Sequence, residues 1–212
     1  MSAYNVALVG ATGAVGAEFL QLLETRDFPL GQLRLLASSR SAGTTIRFKD
    51  QDIVVEELTE TSFTDIDIAF FSAGGSRSKQ YAAAAIAAGA VVVDNSSAFR
   101  MDPSVPLVVP EVNPDALTDH NGIIANPNCS TILLVMVLAP LRKLAPIRRV
   151  VVSTYQAASG AGAQNMRELL KQMGAAHASV SGLLADPASA ILDIDRQVAS
   201  TLRDTGFPTE NF

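Results

Sequence analysis

Residues 5–16 read Asn5-Val6-Ala7-Leu8-Val9-Gly10-Ala11-Thr12-Gly13-Ala14-Val15-Gly16, and this stretch decides the fold. The first five residues are a short apolar run that stops at a glycine, as a buried parallel strand does. Val15, Phe19, Leu22 and Leu23 then recur at helical spacing and predict a helix over 14–25 with one buried face. Between strand and helix lies a Gly-x-x-Gly-x-x-Gly turn. Glycine lets a backbone turn tightly and approach a pyrophosphate, and a helix start adds N–H donors and positive potential. The same spacing also fits a tight turn with no ligand. Its place at the first strand–turn–helix of the chain favours a phosphate cradle in the loop Gly10-Ala11-Thr12-Gly13-Ala14-Val15-Gly16.

Working outward, the pattern repeats. Leu33 to Ala37 reads as a second strand, and Ile46 to Phe48 with Ile53 to Val55 as a hairpin around a polar turn at 49–52. Ile66 to Phe71 is another strand, ending at Ser72-Ala73-Gly74-Gly75. The alanine-rich stretch from Ser78 to Ala88 is a strong helix former stopped by Gly89. Ala90 to Val93 is again a strand. Alternating strands and helices imply right-handed βαβ units and a mostly parallel sheet. Residues 102–128 carry Pro103, Pro106, Pro110, Pro114 and Pro127 and read as an irregular boundary between two domains, 1–127 and 128–212. Beyond it the pattern predicts a buried helix from Cys129 to about Lys143. A strand from Arg149 to Tyr155 follows. Next comes an amphipathic helix whose Met166, Leu169, Leu170 and Met173 face a core. A last helix is N-capped by Asp186-Pro187 and carries Ile191, Ile194, Val198 and Leu202 as its stripe.

The bulk properties bound the function. The chain has 212 residues, 48% of them hydrophobic, enough for one large domain or two small ones. A net charge of −5 without a basic patch argues against nucleic acid and against a membrane surface. A single cysteine excludes an internal disulfide and fits a reducing compartment. The N-terminal residues enter a strand directly, and the longest apolar run is about half the ~20 residues that span a bilayer. A cytoplasmic protein is expected, with no metal site.

Several residues carry candidate chemistry. At the end of the second strand, Ser38-Ser39-Arg40-Ser41 lacks the acidic residue that holds the ribose hydroxyls of NAD. Arg40 suits adenine stacking and a 2′-phosphate, and Ser38 and Ser41 suit hydrogen bonds to it, so NADP is preferred over NAD; the alternative is a solvated loop arginine. The small residues Ser72, Ala73 and Gly74, and the second glycine-rich turn Ser159-Gly160-Ala161-Gly162, leave room for a cofactor at the carboxyl ends of strands. Cys129 follows Pro127-Asn128 at a helix start, where unpaired N–H groups and the helix dipole favour the thiolate. That suggests a nucleophile for a carbonyl; a small buried hydrophobe is the alternative.

Five segments in register resemble the aspartate-β-semialdehyde dehydrogenase family. They are Gly10 to Gly16, Ala37 to Gly43, Asp94-Asn95-Ser96-Ser97-Ala98-Phe99-Arg100, Pro127-Asn128-Cys129-Ser130-Thr131, and Ser153 to Gly162. The resemblance covers about residues 4–165. It implies a Rossmann-like NADP-binding domain followed by the incomplete start of an α+β catalytic and dimerisation domain. It also implies reduction of L-aspartyl-4-phosphate to the semialdehyde with NADPH, in lysine, threonine and methionine biosynthesis, by a homodimer. By position, Cys129 would form the acyl-enzyme, and Arg100 and Asn128 would bind phosphate. Gln156 would orient the acyl group. Thr12 to Val15, Arg40, Ser41, Ser159 and Gly160 would contact NADP.

The same resemblance places the family's acid/base histidine beyond residue 212; His120 and His177 do not match its position. A truncated chain is therefore expected. Two rivals remain. One is N-acetyl-γ-glutamyl-phosphate reductase, whose cysteine usually follows Pro-Gly rather than the Pro127-Asn128 of this chain. The other is a non-catalytic NADP-binding module.

Overall fold

The computed structural model describes residues 3–209. Met1, Ser2 and residues 210–212, with the expectations drawn from the two chain ends, lie outside them. The chain divides into two compact units, one up to Thr154 and one from Tyr155.

The first unit is built on a seven-stranded sheet. Its strands are β1 (Tyr4–Val9), β2 (Leu30–Ala37), β3 (Thr45–Phe48), β4 (Gln51–Glu57), β5 (Ile68–Phe71), β6 (Val91–Asp94) and β7 (Ile123–Ala125). The spatial order is β3-β4-β2-β1-β5-β6-β7, and only the β3–β4 pairing is antiparallel. From β1 the chain winds first toward β2 and then returns to the other side at β5. The crevice where the winding reverses therefore lies between β1 and β5, where open α/β sheets collect ligands.

Strand periodicity sorts the core into two layers. Leu8, Leu35, Ala37 and Val55 face one side with Leu20 and Leu23 of helix α1 (Ala14–Thr25). Ala7, Val9, Leu36, Ala69, Phe71 and Val92 face the other, with Ala82 and Ala85 of helix α2 (Gly75–Ala87) and with Phe63. Phe63 and Phe71 stack at 5.8 Å, and Phe19 and Phe70 pack tilted at 4.2 Å on the opposite face. The alternation leaves no doubt about register, since a slip of one residue would exchange the layers. In α1 the buried stripe is Gly16, Leu20 and Leu23, while Val15 and Leu22 are exposed. The stripe is rotated from the expected one because Gly16, having no side chain, packs closest to the turn before it.

Helix α2 begins at Gly75, three residues before the alanine-rich run, and ends as a Schellman motif. Gly89, at φ +94°, donates to the Ile86 carbonyl, and Ala90 donates to that of Ala85. The proline-rich segment also holds a strand that its composition hides. β7 adds to β6 in parallel because Val92 donates to the Gly122 carbonyl and Asn126 to that of Asp94.

Helix α3 (Cys129–Leu144) starts where expected, but none of its described residues is buried; Leu133 is 70% exposed and Val137 61%. The expected strand at 149–155 does not form. A strand needs a neighbouring strand for its ladder, and among the described residues no strand of the sheet pairs with 149–155.

The second unit holds α4 (Ala163–Ala185) and α5 (Ile191–Leu202). Val180, and not the methionines, is the buried apolar residue of α4; Met166, Leu170 and Met173 are exposed. Asp186 accepts the Ala188 N–H in a turn, and α5 starts only at Ile191, so Asp186 caps that turn rather than the helix. Ile194 and Val198 are half-buried, whereas Ile191 and Leu202 are exposed.

A Cβ at Gly16 would lie 2.5 Å from the Gly10 carbonyl oxygen and 2.8 Å from that of Ala11. Gly16→Ala should therefore destabilise the protein by about 2–3 kcal/mol, the usual size of core overpacking. Gly174→Ala, in α4 with open space around it, should be neutral or stabilising by up to about 1 kcal/mol. Urea unfolding of the two variants checks the contrast; equal effects would contradict it.

Candidate functional site

The turn after β1 is held close to the sheet. Gly10 and Ala11 both donate to the Leu36 carbonyl of β2, and Gly13 donates back to Gly10 at 3.0 Å. Gly10 sits at φ +93°, and a Cβ there would lie 2.6 Å from the Ser72 carbonyl oxygen in the turn after β5. The two turns flanking the crevice thus touch through a contact that only glycine permits. Gly13 is the N-cap of α1 and Gly74 that of α2, and neither has a side chain to cap with. The first-turn N–H groups of both helices therefore open toward the carboxyl edge of the sheet, a geometry suited to a pyrophosphate. Thr12, Ala14 and Val15 are exposed around this turn.

The turn after β2 places Ser38 and Arg40 in solvent and Ser41 half-buried, with Ser41 and Ala42 donating to the Ser38 carbonyl. Ser72 is half-buried, and Ala73 and Gly74 are exposed beside the cradle.

The ends of β6 and β7 form a polar platform on the same edge. Asp94, fully buried, accepts from the Ser78 hydroxyl at 2.6 Å and from the Ser96 hydroxyl at 2.7 Å. Its Oδ1 also accepts the Ser96 N–H, and Ser96 Oγ in turn accepts the Ala98 N–H. One carboxylate thus ties α2 to the loop that leads to Arg100. Arg100 is half-buried; its Nε donates to the Asn126 carbonyl at 2.9 Å and its Nη2 to the Asn95 carbonyl at 3.0 Å. Two residues on, the Ser104 hydroxyl and N–H both donate to Asp102 and hold its carboxyl below the usual range.

Asn126 begins the segment that ends at the cysteine. Pro127 is buried, and Asn128 Oδ1 accepts the Ser130 N–H at 3.0 Å, an N-cap that fixes where α3 begins. Cys129 is therefore the first residue of α3 and is exposed. Gln156, Ser159 and Gly160 belong to the second unit, the latter two in a 3₁₀ turn at Ala158–Ala161. So the first unit brings the cradle, Arg40, Ser72 to Gly74, Arg100, Asn128 and Cys129 to one sheet edge.

Sequence reasoning assigned no role to Ser78, Asp94, Asn95 or Asn126. A charged residue ending the apolar run Val91-Val92-Val93 was the one available signal, since a buried carboxylate must be hydrogen-bonded.

A glycine cradle at the reversal point of a parallel sheet, with a cysteine at a helix start on the same edge, defines a dinucleotide-binding α/β protein. Comparison with known proteins agrees. Residues 5–120 match the NAD binding domain of semialdehyde dehydrogenases, and residues 138–210 match their dimerisation domain. The chain belongs to the semialdehyde dehydrogenase family. It is 58% identical over 165 residues to an aspartate-semialdehyde dehydrogenase of Prochlorococcus marinus, covering 78% of this chain and 48% of that protein. The crystal structure of aspartate semialdehyde dehydrogenase II from Vibrio cholerae aligns with a TM-score of 0.77 at 45% identity. That alignment covers 89% of this chain and 55% of the other. A Candida albicans aspartate semialdehyde dehydrogenase with NADP aligns at 0.59 and 31% identity, covering 68% and 48%. The chain spans about half the length of the curated relatives it matches. Among the described residues no helix is long and apolar enough to cross a membrane.

Asp94→Ala would strand the Ser78 and Ser96 hydroxyls and should cost about 2–4 kcal/mol, whereas Asp94→Asn, which keeps an acceptor, should cost less. Urea unfolding gives both values. A loss under about 0.5 kcal/mol for Asp94→Ala would show that the carboxylate does not organise this edge.

Proposed function

We propose that this chain supplies the cofactor-binding and cysteine-bearing part of an enzyme that reduces L-aspartyl-4-phosphate to L-aspartate 4-semialdehyde with NADPH. The observation that carries the reading is the shared edge. Parallel strands β1, β5, β6 and β7 deliver the glycine cradle, the small-residue turn, Arg100 and Cys129 to one side of the sheet. The relatives named above supply the substrate by similarity.

The residues fit the cofactor. The Gly10 contact leaves no room for a side chain, and the two uncapped helix starts present N–H donors. Gly10, Thr12, Gly13, Ala14 and Val15 would hold the pyrophosphate. Ser38, Arg40 and Ser41 would hold a 2′-phosphate. Ser72, Ala73 and Gly74 would line the rest, and the family resemblance assigns Ser159 and Gly160 to the cofactor. When bound, NADPH supplies the two-electron reductant for the acyl group.

The chain's own chemistry centres on Cys129. Its thiolate attacks the acyl carbon, and N–H groups of the first turn of α3 stabilise the oxyanion that forms. Collapse breaks the bond to the phosphate oxygen and leaves a thioester. Arg100 and Asn128 bind the departing dianion, the guanidinium by a bidentate contact. The family resemblance assigns Gln156, a neutral amide of the second unit, to orienting the acyl group. The functional boundary lies near residue 128. The enzyme is cytoplasmic and works as a homodimer through the region that includes 138–210.

Phosphate-dependent NADP reduction on addition of L-aspartate 4-semialdehyde tests the reading. Cys129→Ala should abolish acylation and leave NADPH affinity unchanged; equal loss of both would make the cysteine structural. Turnover of N-acetylglutamate semialdehyde instead would transfer the assignment to the longer acyl phosphate. Arg40→Ala should weaken NADPH about tenfold and NADH far less, the loss of a charge-assisted contact. An unchanged NADPH-to-NADH ratio would remove Arg40 from the 2′-phosphate site.

A further inference from the structure

We infer that Asn95 and Asn126 are positioning residues for Arg100, joined by an amide–amide bond that presents the guanidinium's end-on edge to an incoming phosphate. The inference rests on the reading of Arg100 as a phosphate contact.

Each asparagine continues a parallel ladder by one residue past its strand. Asn95 donates its N–H to the Phe71 carbonyl of β5, and Asn126 donates its own to the Asp94 carbonyl of β6. Their carbonyls then leave the ladder. Instead of pairing with a further strand residue, both accept from Arg100, at 3.0 Å and 2.9 Å. The side chains close the arrangement: Asn126 Nδ2 donates to Asn95 Oδ1 at 2.7 Å. All three residues are half-buried.

The atoms used matter. A guanidinium has a side edge, Nε with Nη2, and an end edge, Nη1 with the outer Nη2 hydrogen. The two carbonyls accept from Nε and Nη2, the two nitrogens of the side edge. Among the described residues no protein acceptor takes Nη1. The end edge therefore keeps the fork geometry that a phosphate requires, with its plane set by two strand ends. A mobile arginine would have to be ordered at each binding event; this one is ordered by the fold. The same Asn126 begins the Asn126-Pro127-Asn128-Cys129 segment, so the bond between the two asparagines also links the register of Arg100 to that of the cysteine.

Removing either side chain leaves both carbonyls in place but frees the strand ends to move apart. The probe is inorganic phosphate, read as protection of Cys129 in the 212-residue chain from alkylation by iodoacetamide. NADPH affinity and thermal unfolding are measured in parallel. Asn126→Ala and Asn95→Ala should each raise the half-protecting phosphate concentration about fivefold, with NADPH affinity and melting little changed. Asn126→Gln, which keeps the donor, should recover most of the loss. Arg100→Ala should abolish protection.

The arms separate the two readings. Absent protection in the unmodified chain, or protection that survives Arg100→Ala, overturns the phosphate reading of Arg100 and this inference with it. Protection lost in Arg100→Ala but unchanged in both asparagine variants overturns the positioning role alone. Parallel loss of NADPH binding or of folding in both asparagine variants, not recovered by Asn126→Gln, would assign the pair to the general fold and overturn the inference too.

Discussion

The first unit depends on one contact, the approach of the β1–α1 turn to the β5–α2 turn. Gly10 lies so close under the Ser72 carbonyl that a single added carbon would sit 2.6 Å from it. Gly16 packs equally close to Gly10, so α1 starts immediately above the strand it follows. Both distances are far below van der Waals contact, and packed interiors yield little to such intrusion. The contact brings the two turns that flank the crevice together and leaves no room for a side chain at Gly10. A dinucleotide cradle needs N–H groups, positive helix ends and no side chains in the way.

The rest of the edge follows from parallel pairing. β5, β6 and β7 all point the same way as β1, so every loop that leaves their carboxyl ends meets the same side of the sheet. Polar residues at those ends replace the ladder where it stops. Asp94 draws in Ser78 from α2 and Ser96 from its own loop, and Asn95 and Asn126 hand their carbonyls to Arg100. Each buried polar group there has a partner, which is the condition for a polar network to order a site rather than weaken it. The N-cap of Asn128 then sets α3, and with it Cys129, four residues beyond β7.

The sheet was legible because strand runs and glycine turns are local signals. β1, α1, β5, α2 and β6 all follow from short apolar runs and their punctuation. β7 was not, because three residues among prolines form a strand only when β6 offers them a ladder. Burial was harder to read than helicity. Ile132 to Leu138 reads as a core helix, yet exposure depends on what packs against it, and apolar composition alone does not say. The same holds for Met166 and Met173. For the site, the glycines, Arg40, Arg100 and Cys129 announced themselves through residue type and motif. Asn95 and Asn126 did not, because their part lies in main-chain carbonyls and a side-chain pair 31 residues apart.

Amide chemical-shift mapping of the labelled chain on titration with NADPH tests the central claim most directly. The largest changes should fall at 10–16, 38–43 and 72–75, the turns at the carboxyl ends of β1, β2 and β5. Changes centred instead on the opposite edge of the sheet, or absent from 10–16, would contradict it.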